Sequence, residues 1–240
     1  EGKIYKKNTD TFIVKNNVPV LLLAIEKIDF DFPTLQRLTY VSIEFYKSIC
    51  FQVFIAVFNM YTIFGIQHND LHIGNILFNT TEEEYLYYNF NNTYYKVPTF
   101  GFIIKIIDWG RGVYKYNNYI GKNEIFAPLH DCENQLIYNR FNKSPRKNSK
   151  WTDIVIFVQN MLYNYPDIKK HLDFYTFLKK LLKTNKGYYI STKKFNWEIY
   201  NTISKNIFNI RPLNILKHTL FKKYIIKEKP DSSIIYPILL

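Results

Sequence analysis

The sequence predicts an α+β fold, and three observations carry that prediction. Short apolar runs with strand character lie in the first half, ahead of Asp108. From Trp151 onward the apolar residues recur at helical spacing. No Gly/Ser/Pro-rich linker separates the two parts. Few strands first and many helices later is the α+β pattern. With 240 residues, 47% of them hydrophobic, the chain can bury one large core, or one core with a small satellite.

The elements follow in order. "VPVLLLAIEKI" (Val18–Ile28) reads as a buried strand with Pro19 near its start, and "DFDFP" (Asp29–Pro33) breaks it. From Thr34 to about Gly65 the spacing predicts helix, first short, then long and buried, with Gly65 ending it. The stretch Ile49–Ile66 approaches the length of a membrane span. Gln52, Asn59 and Thr62 interrupt it, and Glu44 and Lys47 precede it, so a buried central helix and no membrane span is the expectation. Asn75–Phe78 and Phe102–Asp108 read as short strands. Between them, "EYLYYNFNNTYYKVPTFG" (Glu84–Gly101) has two aromatic-rich halves around Asn91-Asn92, a dipeptide that tolerates positive φ. That predicts a hairpin within a larger hairpin. Residues 111–150 are irregular, polar and basic, too long for a passive connection. Helices are then expected over Asp153–Tyr165, Asp167–Leu182, Trp197–Phe208 and Pro212–Tyr224.

The formal charge is +12, from 32 basic and 20 acidic residues. It permits acidic partners, nucleic acid among them, but assigns none. The chain is also rich in Asn, Ile, Tyr and Phe, whose codons are A/T-rich, and such a bias raises Lys across a surface without any partner. Cys50 and Cys132 are the only cysteines, too few and too far apart for a disulfide framework or a zinc pattern, so a reducing intracellular compartment is expected. There is no secretory signal pattern. The first residue is Glu1 rather than Met, so a piece of a longer product is expected.

The chemistry concentrates in "HNDLHIGN" (His68–Asn75). His68, Asp70 and His72 alternate as metal ligands on a strand would. A zinc site needs more ligands, and His130, His171 and His218 form no ligand-like pair. The neighbouring strands offer a different constellation. If they pair antiparallel, the start of one lies beside the end of the other, so Asn75 and Asp108 meet at one edge. An amide oxygen and a carboxylate there suit Mg²⁺, which takes few protein ligands and leaves room for phosphate oxygens. Asp70, five residues before Asn75, would point into the same space, where a carboxylate can orient a hydroxyl and accept its proton.

These residues carry a resemblance. "HNDLHIGNIL" resembles the catalytic loop H-x-D-L-x-x-x-N of the protein-kinase-like fold, and "IIDWG" (Ile106–Gly110) resembles its D-F-G, with Trp109 in place of Phe. "WTDIVIF" (Trp151–Phe157) resembles the start of the family's central helix, "RPLNILKHTLFKKY" (Arg211–Tyr224) its closing helix, and "LLLAIEKI" (Leu21–Ile28) the strand leading into its hinge. Within the fold the chain is most similar to haspin-like kinases and related kinases of large DNA viruses. His72 stands where conventional protein kinases have Lys, the aromatic insert separates the loop from the D-W-G, and no A-P-E follows.

The resemblance implies residues 1–33 as a remnant of the small lobe and hinge, and 34–240 as the helical C-lobe. Within it come the catalytic loop 68–75, a hairpin insert 79–101, the D-W-G 108–110, an activation segment 111–150 and a helical remainder 151–240. It implies a Ser/Thr-directed protein kinase that uses ATP and Mg²⁺ to phosphorylate a protein substrate, located in the cytoplasm or nucleus of a host cell or in a virion. Asp70 would be the catalytic base, Asn75 and Asp108 would hold Mg²⁺, His72 would approach the γ-phosphate, and His68 and Asp153 would brace the loop. Ile25 would be the gatekeeper, and Glu26 and Ile28 would offer backbone groups to adenine. The Gly-rich loop, strand Lys and helix Glu of the family have no counterpart in the residues before Glu26. A small-molecule phosphotransferase of the same fold and a non-enzymatic pseudokinase lobe stand as alternatives.

Overall fold

A computed structural model describes residues 3–7, 10–14, 26–38, 41–116, 119–122, 151–194, 199, 202–203, 206–232 and 234–240. Its architecture is α+β. An N-terminal hairpin pairs β1 (Lys3–Lys7) with β2 (Asp10–Val14). Most of the strand expected over Val18–Ile28 lies outside the described residues, and Glu26–Ile28 form no strand. A short β3 (Phe30–Asp31) leads directly into α1 (Phe32–Leu38). The helix starts two residues earlier than its periodicity indicated. Asp31 Oδ1 accepts from the Thr34 amide at 2.7 Å, which supplies a cap, and Pro33 falls in the first turn, where its missing N–H costs nothing.

The core is built around α2 (Ile43–Phe64). Ser42 caps its start and Gly65, in the left-handed region at φ 59°, ends it. Phe51, fully buried, meets the rings of Tyr88, Tyr95, Phe221 and Tyr224 at 5.2–5.7 Å between centroids, so one side chain joins three parts of the chain. By length and composition α2 could cross a membrane, but 61% of its apolar window is buried inside the structure. Its polar residues are also used there. Ser48 Oγ donates to the Pro98 carbonyl (2.5 Å), Gln52 Oε1 accepts from the Ile104 amide (3.3 Å), and Asn59 clamps the C-terminal segment through Pro237 and Leu239.

Two sheets pack beside α2. β4 (Ile76–Thr80) lies between β3 and β7 (Phe102–Ile106), antiparallel to both. Its inward residues Ile76 and Phe78 are fully buried, and Phe78 meets Phe32 edge-on at 4.7 Å. β5 (Tyr85–Phe90) and β6 (Thr93–Pro98) form the inner hairpin, turning at Asn91 and Asn92 with φ 47° and 61°, the geometry of a type I′ turn. A further hairpin, β8 (Val113–Tyr116) with β9 (Tyr119–Lys122), follows.

The later region departs from the helical expectation in three places. α3 (Thr152–Asn164) is as expected, but Asp167–Leu182 splits into a 3₁₀ turn, Pro166–Lys170, and α4 (Leu172–Leu181). Pro212–Tyr224 also splits, into α5 (Pro212–Leu216) and α6 (Thr219–Lys222), because the His218 ring nitrogen accepts from the Leu220 amide and starts a new helix. Within Trp197–Phe208 the described Ile199, Thr202 and Ile203 are helical as expected, but the end is not, since Phe208 forms a bridge with Thr184. The chain then returns to the hairpin: β10 (Ile225–Ile226) pairs with β6, and β11 (Tyr236–Pro237) runs parallel to β5. Neither strand has an apolar alternation long enough to read from sequence.

Candidate functional site

The loop from Gln67 to Asn75 is held from three sides. Gln67 exchanges two backbone hydrogen bonds with Val113, at 2.8 and 2.9 Å. The carboxylate of Asp153, in the first turn of α3, accepts from the His68 and Asn69 amides, both at 2.7 Å. Two turns along the same helix, Asn160 Oδ1 accepts from the Ile73 amide at 3.0 Å. Asp153 is buried, and burial pushes its carboxyl above the ordinary 3.8 against the pull of His68 and the two amides.

His68 is buried and ties the loop to the end of β7. Its Nε2 lies 2.7 Å from the Ile107 carbonyl, and its Nδ1 accepts from the Asp70 amide at 3.2 Å. Both bonds are satisfied by a neutral ring with its proton on Nε2. The Trp109 ring covers His68 at 4.5 Å between centroids. Trp109 itself is 39% exposed, so it is a cover at the surface and not a core residue. Asn69 takes the left-handed conformation, φ 66°, and its Nδ2 donates to the Arg111 carbonyl at 2.9 Å.

The carboxylate of Asp70 is turned away from this frame. Its side chain is 13% exposed, with Arg111 Nη1 at 3.4 Å from one oxygen and His72 Nε2 at 3.9 Å from the other. Burial lowers the His72 pKa below 6.5, with Asp70 opposing. His72 Nδ1 accepts from the Gly74 amide at 3.1 Å, which leaves the proton of the neutral ring on Nε2, facing Asp70. A Cβ on Gly74 would stand 2.9 Å from the His72 ring, so glycine is what lets the imidazole lie there.

Asn75 and Asp108 are neighbours at one sheet edge. Ile76 opposes Ile106 in the register, and the Ile107 amide donates to the Asn75 carbonyl at 3.0 Å. The Asn75 Nδ2 donates to the Asp70 carbonyl at 2.9 Å, which orients the amide and reserves its Oδ1 as an acceptor. Asp108 is exposed and left-handed, φ 61° and ψ 66°, a conformation that costs a non-glycine residue about 1–2 kcal/mol. Its Oδ1 makes a long contact, 3.4 Å, with the Gly110 amide. Asp108 and Asp70 both act electrostatically on His72, which sets the three side chains around one space. Among the described residues no three His, Cys, Asp or Glu side chains gather as a metal group. The zinc arrangement considered for His68, Asp70 and His72 also fails on geometry, since both nitrogens of His68 are already engaged. The oxygen pair of Asn75 and Asp108 is a different donor set. Hard oxygen donors, one oriented amide and one exposed carboxylate, fit Mg²⁺, which needs few protein ligands.

The remaining sequence-derived residues lie elsewhere. Ile25 is outside the described residues. Glu26 is exposed, and its carboxylate takes Asn79 Nδ2 at 3.0 Å and Lys105 Nζ at 3.2 Å; Ile28 is half-buried. These contacts fasten the segment to β4 and β7. Residues 117–118 and 123–150, most of the expected activation segment, also lie outside the described residues.

Asn160 and Arg111 were missed by the sequence reading. Asn160 had a signal, because it follows Asp153 by seven residues, two helical turns, on the same face. Arg111 had only its place after Gly110. No family model matches the chain, and no curated protein matches it.

Proposed function

We propose that the chain is the helical lobe of a haspin-like, eukaryotic-type protein kinase that transfers the γ-phosphoryl group of ATP to a protein hydroxyl, most simply Ser or Thr. The single observation that carries this reading is the shared edge of Asn75 and Asp108, beside an Asp70 whose loop is fastened by His68 and Asp153. In the proposed reaction Asp70 orients the acceptor hydroxyl and takes its proton as the oxygen attacks the γ-phosphorus and the bond to the β–γ bridging oxygen breaks. Asn75 and Asp108 would hold Mg²⁺, which when bound neutralises phosphate charge. His68 and Asp153 keep the Asp70 backbone in place through the adjacent amides. The neutral His72 stands near Asp70 as a hydrogen-bond donor and brings no full charge to a phosphate.

A second reading has one observation in its favour. Asp70 already has a cation within 3.4 Å, Arg111, as a carboxylate with a purely structural role would. A non-enzymatic lobe of the same fold accounts for that pair.

The gene product, expressed from its own start codon and assayed for phosphate transfer from labelled ATP to a protein mixture, separates the two. Transfer that falls at least about 100-fold in Asp70→Ala supports the kinase reading. Equal transfer by both proteins overturns the assignment of Asp70, and no nucleotide binding with or without Mg²⁺ favours the non-enzymatic lobe.

A further inference from the structure

The exposed face of α4, with the loop that folds back on its end, is a second functional surface, independent of the phosphotransfer reading. α4 buries Phe174, Phe177, Leu178 and Leu181. Its opposite face carries Leu172 at 73% exposure and Lys179, seven residues on and therefore on the same side of the helix, and Lys183 is exposed just past the helix end. The chain after α4 returns against it: Lys183 bridges Tyr189, and the Ile190 amide donates to the Leu182 carbonyl at 3.0 Å. This places the Tyr189 ring under both ammonium groups, 5.1 Å from Lys179 Nζ and 5.8 Å from Lys183 Nζ. Lys186 is exposed in the same returning loop, and Lys169 stands close enough to Lys179 to add to the lowering of its pKa by burial.

The charges on this face are unbalanced. The acids of the segment are committed elsewhere, Asp167 to Lys170 at 2.7 Å and Asp173 to Lys47 at 3.4 Å. Among the described residues no carboxylate lies within ion-pair distance of Lys169, Lys179, Lys183 or Lys186. Like charges held together without counter-ions favour an anionic partner. The exposed Leu172 lies about 14 Å along the helix from its last residue, Leu181, at 1.5 Å per residue, and Lys183 follows two residues beyond. An extended chain covers that distance and the step to Lys183 in about five residues.

We propose that this face docks an acidic polypeptide segment that carries one apolar residue about five positions from a cluster of Asp or Glu. The apolar residue covers Leu172, and the carboxylates meet Lys179, Lys183 and Lys186. A single nucleic-acid strand is the weaker candidate. It needs successive free stacking platforms, and of the two exposed rings of this loop Tyr189 already lies under two lysines and Tyr188 is held by its hydroxyl on Asn206.

The test is fluorescence anisotropy of the whole chain with a labelled peptide holding a Leu and, five residues on, four consecutive Glu. Binding is expected at low salt, weakening several-fold between 50 and 300 mM salt. Lys183→Glu/Lys186→Glu, both exposed, should weaken it at least about tenfold, and Leu172→Asp several-fold. Lys227→Glu, the same kind of charge change on the hairpin sheet, should leave it within about twofold. A circular-dichroism melt shows that each variant is folded. The proposal is overturned by no peptide binding, by equal loss in Lys227→Glu, or by an oligothymidylate that binds more tightly and is lost with the same lysines.

Discussion

Asp153 and Asp70 serve one loop and are put to opposite uses. Asp153 is buried and spends its two oxygens on the His68 and Asn69 amides. Asp70 keeps both oxygens at the open edge, facing Arg111 and His72. The difference separates a group that determines where the loop is from a group that the loop presents. A buried carboxylate with two amide donors is costly to remove, because it leaves two N–H groups without partners. A carboxylate with partners only at 3.4 and 3.9 Å is cheap to remove for stability and expensive only for whatever it acts on.

The largest effects should come from breaking this division. Asp153→Ala is expected to destabilise the fold by about 2–5 kcal/mol, and for a chain of this size that lowers the melting temperature by roughly 5–15 °C. Asp70→Asn should leave the melt within about 1 kcal/mol of wild type while phosphate transfer falls. A paired thermal denaturation of the two variants reads the contrast, and equal melting temperatures would remove it. Next in size, Asn160→Ala should cost about 1–2 kcal/mol, seen as faster hydrogen exchange at the Ile73 amide with the Asp153 bonds still protected.

Smaller effects sharpen the open side. Burial lowers the His72 pKa below 6.5, so the unfolded chain binds that proton more tightly. The contribution of His72 to stability is therefore full above pH 6.5 and declines as pH falls through 6.5 toward the folded value. A proton NMR titration of the His72 ring should give a midpoint below 6.5. Asp70→Asn should move that midpoint lower still, because the Asp70 carboxylate favours the protonated ring. A rise would show that the two side chains do not face each other. Gly74→Ala should displace the His72 ring, whose atoms lie 2.9 Å from the new Cβ, and bring the midpoint closer to 6.5 as the ring becomes more exposed.

Much of this was legible in the sequence where chemistry repeats at a fixed spacing. Asn91-Asn92 indicates the inner turn, Gly65 the end of α2, and two strand-like runs around an insert bring Asn75 and Asp108 to one edge. The parts that were not legible depend on side chains meeting across long separations. Arg111 reaches Asp70 across forty-one positions, and nothing in its neighbours marks it. The break at His218 comes from local capping by its ring, which competes with helical periodicity. The strands β10 and β11 are two residues each, below the length at which alternation can be seen. Nothing in the sequence marks Trp109 as a surface cover, since a large ring is normally buried, whereas here it lies over His68.

Asn75 and Asp108 are proposed as the oxygen-lined edge to which the phosphotransfer chemistry is tied. Paramagnetic broadening by Mn²⁺ with ATP, read amide by amide in an NMR spectrum, is the test of that assignment. Selective loss of signal is expected around Asn75 and Asp108, abolished by Asp108→Asn and retained in Asp70→Asn. Broadening spread evenly over the surface, or centred elsewhere and indifferent to Asp108, would contradict it.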